Sequence, residues 1–179
     1  MLITIEVNIF ELEIWDDEAQ KCTFYTVRED GAQNTETDTF FKKYNSDKMY
    51  KQSAQELLSF VLLAIGDRHG AIDELFNRNE NEVEGLPSKG KINISELDYH
   101  YPNFPLRLYA LRINEKIVVL FNGGIKDGET NQTSSLHQNW VAACNYAKRI
   151  VRAINDGTLL VNDQDRTLTL FNGAKEIIL

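Results

Sequence analysis

The sequence predicts an α+β fold built as one domain, and three observations carry that reading. Apolar residues alternate with period two near the start of the chain, the signature of a half-buried strand, and 106–113 and 116–121 are short, mostly apolar runs bounded by turn residues. Two stretches, 53–65 and 134–155, instead repeat their apolar residues at helical spacing. The resulting order is strands, helices, strands, helix, strands, rather than the regular alternation of a βαβ protein. At 179 residues the chain has enough material for one sizeable core and is short for two, and no linker divides it.

Ile3, Ile5, Val7 and Ile9 alternate with Thr4, Glu6 and Asn8, after which the apolar phase flips to Phe10, Leu12 and Ile14. A strand changes faces only by gaining a residue, so a bulge is expected near Ile9–Phe10. The polar run 16–20 predicts a turn, and a second strand from Cys22 to Arg28 completes an N-terminal hairpin within residues 1–50. Thr35 followed by Asp38 marks the start of a short helix to Tyr44. Ser53 and Glu56 form a capping box ahead of a helix that is apolar over most of its surface, which Gly66 and Gly70 are expected to break. Ile72, Leu75 and Phe76 fit a further helical turn or two.

Residues 77–95, rich in Asn, Glu, Gly and Lys, read as an exposed loop, followed by a short strand at Leu97–Tyr101. Leu106–Ile113 and Lys116–Phe121 are the clearest strands, joined by Asn114-Glu115. Asn122-Gly123-Gly124 is expected to end the second strand by adopting positive φ. Ser134 or Ser135 caps a long helix to Asn155, with Leu136, Trp140, Val141, Cys144, Ala147, Val151 and Ile154 as its apolar stripe and Gly157 as its C-terminal cap. Residues 158–171 predict a last hairpin within 158–179.

Charge and motif content narrow the function. The net charge of −8 argues against a general nucleic-acid binder, yet residues 105–155 carry 7 Lys/Arg against 3 Asp/Glu. No apolar run approaches the roughly 20 residues a membrane-spanning helix needs, and the N-terminus has no signal-peptide pattern, so a cytoplasmic protein is expected. Cys22 and Cys144 lack metal-ligand spacing and read as reduced core thiols. His69, His100 and His137 are far apart in sequence, and no phosphate loop, HExxH, CxxC pair or GxSxG is present. Neither a metal nor a cofactor is therefore expected.

The informative stretch runs from Pro105 to Lys126. In its first strand Arg107, Tyr109 and Leu111 share one face, while Leu106, Leu108, Ala110 and Arg112 share the other. Lys126 follows the second strand just past its glycines, and in a hairpin that end returns beside Arg107. Arg offers a planar fork for an oxyanion and Lys a point charge. An Arg snorkelling at a strand end beside a solvated Lys is the competing reading.

This pattern resembles the RelE/ParE toxin superfamily: helices, an Arg-bearing strand (107–112), an apolar strand (117–121), a basic end at Gly124-Ile125-Lys126, and a closing helix (136–154). The resemblance covers residues 53–155. It implies a RelE-like core of helices packed on a small antiparallel sheet, here with added N- and C-terminal β-hairpins. It further implies a toxin of a toxin–antitoxin system, with an antitoxin protein as partner and mRNA on the ribosome as target. The implied chemistry is metal-independent endoribonuclease action, the ribose 2′-hydroxyl attacking the adjacent phosphate. By this likeness Arg107, Lys126, His100 and Tyr109 are the catalytic candidates, and Arg112, Lys148, Arg149 and Arg152 the RNA-binding ones. A non-catalytic protein-binding module and a mobile-element interaction protein on the same scaffold are the alternatives.

Overall fold

The computed structural model describes residues 8–126 and 135–179. Strands β1 (Phe10–Asp16) and β2 (Thr23–Glu29) open the chain, followed by helix α1 (Glu36–Asn45). Helix α2 (Lys51–Ser59) continues without a break into a π-helical stretch, Phe60–His69, and a 3₁₀ turn follows at Asp73–Leu75. Four short strands come next: β3 (Asn79–Glu80), β4 (Val83–Leu86), β5 (Lys91–Ile94) and β6 (Leu97–His100). The long hairpin β7 (Leu106–Asn114) and β8 (Ile117–Ile125) leads to helix α3 (Ser135–Asn155). The chain closes with β9 (Leu159–Asn162), β10 (Thr167–Leu170) and β11 (Ile177–Ile178).

These elements make an α+β protein around one mixed sheet of seven strands, in the order β11-β1-β2-β8-β7-β4-β3. The N-terminal hairpin is therefore no appendage to a small antiparallel sheet. It enters the sheet through a parallel pair, β2 with β8, running from Thr23↔Ile117 to Thr26↔Leu120. A parallel pair needs a long crossover, and residues 30–116 supply it. The remaining two hairpins, β5–β6 and β9–β10, stay outside the sheet.

Period-two alternation sorts side chains to the two faces as the sequence predicts. Leu106, Leu108, Ala110, Val118 and Leu120 pack with Leu57, Phe60, Val61 and Ile65 of the α2 layer. Tyr109, Leu111, Val119 and Phe121 pack with Phe10, Tyr25 and the Tyr146–Ala147–Ile150 face of α3. The β9–β10 hairpin joins the second layer through Leu159 and Leu168, and the Tyr25 hydroxyl accepts the Leu168 N–H at 2.8 Å.

Several local expectations hold. Thr35 caps α1, accepting the Asp38 N–H at 3.1 Å, and Gly157 ends α3 with φ +84°. Cys22 and Cys144 are buried and free, in opposite core layers. Others are corrected. The expected first strand lies largely in residues 1–7, outside the described residues. β1 carries an irregularity between Ile14 and Asp16, while the bulge expected near Ile9–Phe10 borders residues 1–7, outside the described residues. Ser53 lies inside α2, which starts at Lys51, so no capping box forms.

Gly66 does not break that helix. It is a point of close approach, where a Cβ would lie 2.9 Å from the Ala19 Cβ, and its carbonyl accepts the Lys21 and Cys22 N–H groups. Val141 and Val151, expected in the buried stripe of α3, are both 40% exposed; Ala143, Tyr146 and Ile150 fill the interface instead.

The segment read as a loop, 77–95, contributes three strands, and β4 pairs directly with β7 (Gly85↔Tyr109). Asn122-Gly123-Gly124 does not end β8, which runs on to Ile125 with Leu108↔Gly123 and Arg107↔Gly124 paired. The glycines serve proximity rather than positive φ. A Cβ on Gly123 would overlap the Arg107 carbonyl oxygen, and one on Gly124 would lie 3.3 Å from the Leu136 Cα. Gly123→Ala is expected to destabilise the protein by about 3 kcal/mol or more, because the clash is with backbone that has nowhere to move; urea denaturation against wild type measures it.

Candidate oxyanion site on the sheet

Arg107 leaves β7 on the face covered by α3 and is only 7% exposed. Its Nη1 donates to the carbonyls of Leu106 (3.0 Å) and Phe104 (3.3 Å). Among the described residues its guanidinium forms no ion pair. Burial lowers its pKa below the usual guanidinium range and the Arg78 charge adds to that effect, while Glu80 and Tyr109 act in the opposite sense.

The room for this cluster comes from Gly85, which faces Tyr109 across the β4–β7 ladder. Lacking a side chain, Gly85 leaves a notch on the α3 face. A Cβ there would lie 2.8 Å from Arg78 Cδ and 3.4 Å from Glu80 Oε2. The Arg78 stem and the Glu80 carboxylate therefore fill the space between β4 and the Arg107–Tyr109 face. Arg78 is anchored through Nε to Pro87 O (3.3 Å), and its carbonyl accepts the Gly85 N–H (2.8 Å). Trp140 Nε1 of α3 donates to Glu80 O (3.1 Å), which fixes the Glu80 backbone. Glu80 Oε2 is buried without a hydrogen-bond partner among the described residues. The Tyr109 phenol is pushed well above its ordinary pKa by burial and by the Glu80 carboxylate beside it.

Two guanidiniums, one carboxylate and a neutral phenol leave a formal surplus of one positive charge in a largely buried place. Electrostatic attraction is strong where water is scarce. Such a site suits an oxyanion.

The structure brings only part of the sequence-derived set together. Lys126 is exposed and lies at the Arg107 end of the hairpin, its N–H donating to Pro105 O at 2.6 Å. Tyr109 is in the cluster but buried. His100 is elsewhere. It sits opposite Lys91 in the β5–β6 hairpin, whose inner residues Ile92, Ile94 and Tyr99 pack into the α2 layer, across the sheet from Arg107. The hairpin is tied down by a 2.8 Å hydrogen bond between Tyr99 Oη and His69 Nε2.

The RNA-binding candidates are scattered. Arg112 points to the α2 layer, where it donates to Ala71 O (2.9 Å) and pairs with Asp73 (2.5 Å). Lys148 pairs with Glu82 at 3.5 Å. Arg149 donates to Asn8 O and lies 4.6 Å over the Phe10 ring. Arg152 and Lys148 line an open groove of about 660 Å³ together with Glu82 and Asp156, so its rim is of mixed sign. Among the described residues no group of three or more His, Cys, Asp or Glu is arranged to hold a metal ion. None of the described helices is long and apolar enough to cross a membrane.

Arg78, Glu80 and Trp140 escaped the sequence reading as site residues. Arg78 and Glu80 fall in the stretch read as a loop, and nothing local reveals that this stretch returns to pair with β7. The one available sign was Gly85 within an otherwise strand-compatible Val83–Leu86. A second polar cluster, Glu29, Glu36, Asn122 and Tyr146, joins β2, α1, β8 and α3. Tyr146 donates to Glu29, and burial raises the Glu36 pKa, with Glu29 adding to the rise. Comparison with protein-family models, with curated proteins and with solved structures finds no match for the chain.

The His69 tie makes a pH prediction. Burial lowers the His69 pKa from 6.5, and Arg68 and Lys21 lower it further. The unfolded chain therefore binds its proton first as pH falls. The His69 contribution to stability is complete above 6.5 and declines as pH drops toward the folded-state pKa. His69→Gln is expected to flatten that part of the stability–pH profile, read by urea denaturation at stepped pH.

Proposed function

We propose that this chain is a RelE-like toxin of a toxin–antitoxin system that engages the phosphate backbone of RNA through Arg107 and Arg78, with Lys126 at the same end of the sheet. The observation that carries the proposal is a buried arginine, Arg107, whose guanidinium is free of any ion pair among the described residues and stands beside a second guanidinium. Burying such a charge is unfavourable unless something complements it, and a phosphate accepts the Arg fork with two parallel hydrogen bonds.

In the metal-independent cleavage this reading implies, the ribose 2′-hydroxyl attacks the adjacent phosphate. Arg107 and Arg78 then stabilise charge developing on the phosphoryl oxygens, and Lys126 faces the departing oxygen. His100, on the far layer, takes no part. The buried Tyr109 acts as a neutral hydrogen-bonding group rather than a base. The implied target is mRNA on the ribosome, and the implied partner is an antitoxin protein that masks this face.

A second reading, a non-catalytic protein-binding module, also has a specific support. Arg112, Lys148 and Arg149 are already engaged within the chain, which leaves the α3 surface of mixed charge.

Induced expression in bacteria separates the two. Wild type is expected to arrest growth, an Arg107→Ala/Lys126→Ala double variant of equal abundance to permit it, and His100→Ala to arrest growth as wild type does. Normal growth with soluble wild type and no partner present would sink the toxin reading in favour of the binding module. Mapping of RNA cleavage ends then decides whether arrest involves catalysis.

A further inference from the structure

The Glu80 carboxylate occupies an odd position for a structural ion. Its Oε2 is buried beside two guanidiniums, yet among the described residues that oxygen has no hydrogen-bond partner and Glu80 forms no ion pair. The notch over Gly85 admits it, with 3.4 Å from the would-be Gly85 Cβ to that oxygen. Its backbone is held independently of the carboxylate, by Trp140 Nε1 on its carbonyl and by the two-residue β3–β4 ladder. β3 is also the terminal strand of the sheet, and Glu80 is half-buried rather than enclosed.

We infer that Glu80 is a built-in occupant of the oxyanion site: its carboxylate stands where a phosphate of the ligand pairs with Arg107 and Arg78, and binding displaces the Glu80 side chain while its backbone stays in place. This is regulation of the site described above and rests on the reading of that site as one for phosphate. The free protein is thereby self-blocked, and a ligand must carry its own negative charge to replace the one it expels. A neutral molecule cannot make that exchange without leaving the surplus charge on Arg78 and Arg107 uncompensated. The incomplete bonding of Glu80 makes it displaceable, since on leaving its Oε2 gives up no hydrogen bond to a described residue and the carboxylate gives up only its interaction with the Tyr109 phenol.

Glu84 supplies an internal control. It lies one strand position from Gly85, paired with Ala110, and so projects to the opposite face. Asn79 Nδ2 donates to its Oε1 at 3.4 Å, and its Oε2, like that of Glu80, is buried without a hydrogen-bond partner among the described residues, so the two carboxylates differ in place rather than in bonding. Removing its charge alters the net charge of the protein equally but leaves the notch untouched.

The test compares wild type, Glu80→Gln, Glu84→Gln and Glu80→Gln/Arg107→Ala. Two probes are used: inorganic phosphate, read as a rise in thermal midpoint, and a short fluorescent single-stranded RNA, read by anisotropy at low salt. Glu80→Gln keeps the side-chain shape and the backbone bond to Trp140. It is expected to respond at a roughly tenfold lower phosphate concentration than wild type, with Glu84→Gln unchanged and the double variant unresponsive. An equal gain in Glu84→Gln, or none in Glu80→Gln, overturns the inference. A Glu80-dependent phosphate response with no RNA binding by any variant keeps the block and removes RNA as the ligand. RNA binding that Glu80→Gln leaves unchanged while Arg107→Ala abolishes it keeps the RNA reading and removes the block. Silence from both probes overturns both.

Discussion

Everything in this molecule hangs on the parallel seam between β2 and β8. The ladder is only four residues long, with the Thr23 N–H donating to Lys116 O at 2.8 Å just outside it. It nonetheless fuses an N-terminal hairpin and a central hairpin into one sheet with two buried faces. Closing so long a loop is tolerable because the entropic cost grows only with the logarithm of its length. A buried hydroxyl chain then pins α1 over the seam. Thr37 Oγ1 donates to Phe121 O (3.1 Å), and Thr26 Oγ1 stands 2.7 Å from Thr37 Oγ1, each polar atom satisfied away from water.

The seam explains why the sheet can hold a buried cation. With β2 on one side of the β7–β8 hairpin and β4 on the other, β7 becomes interior, and Arg107 near its start is covered by α3. Glycines do the local fitting. Gly123 lets β8 come close to the Arg107 backbone, Gly124 lets α3 approach at Leu136, and Gly85 opens the notch for Arg78 and Glu80. Two carbonyls and a carboxylate beyond ion-pair range compensate Arg107 only partly. A charge left in that condition is unusual in a purely structural core, and it is the physical ground for treating this place as a site.

The strong hairpin over 106–125 was legible because its two strands are mostly apolar runs set off by Pro105, Asn114-Glu115 and the glycines, as strands buried on both faces are; the two-residue period of a strand also assigned Arg107 and Tyr109 to one face and Arg112 to the other. The long C-terminal helix was legible for the same kind of reason, yet Val141 and Val151 were misplaced, because its buried stripe leans toward Ala143, Tyr146 and Ile150. Small residues there allow close packing on the sheet, and hydrophobicity alone does not mark that preference. The grouping of His100 with Arg107 followed from the family resemblance and from the suitability of imidazole for proton transfer. The β5–β6 hairpin instead belongs to the α2 layer, because Tyr99 and Ile92 face it.

The sequence by itself determined the α+β class, the strands and helices with strong periodicity, the cap at Thr35 and the left-handed stop at Gly157, since these depend on residues close together in the chain. Only the tertiary structure decided that β2 pairs with β8, that the Gly-containing segment 83–86 is a strand, and that Arg78 and Glu80 meet Arg107. Each of those is a contact between segments far apart in sequence. A four-residue strand with one glycine has too little intrinsic preference to announce itself, and its conformation comes from the hydrogen-bonding edge that β7 offers it.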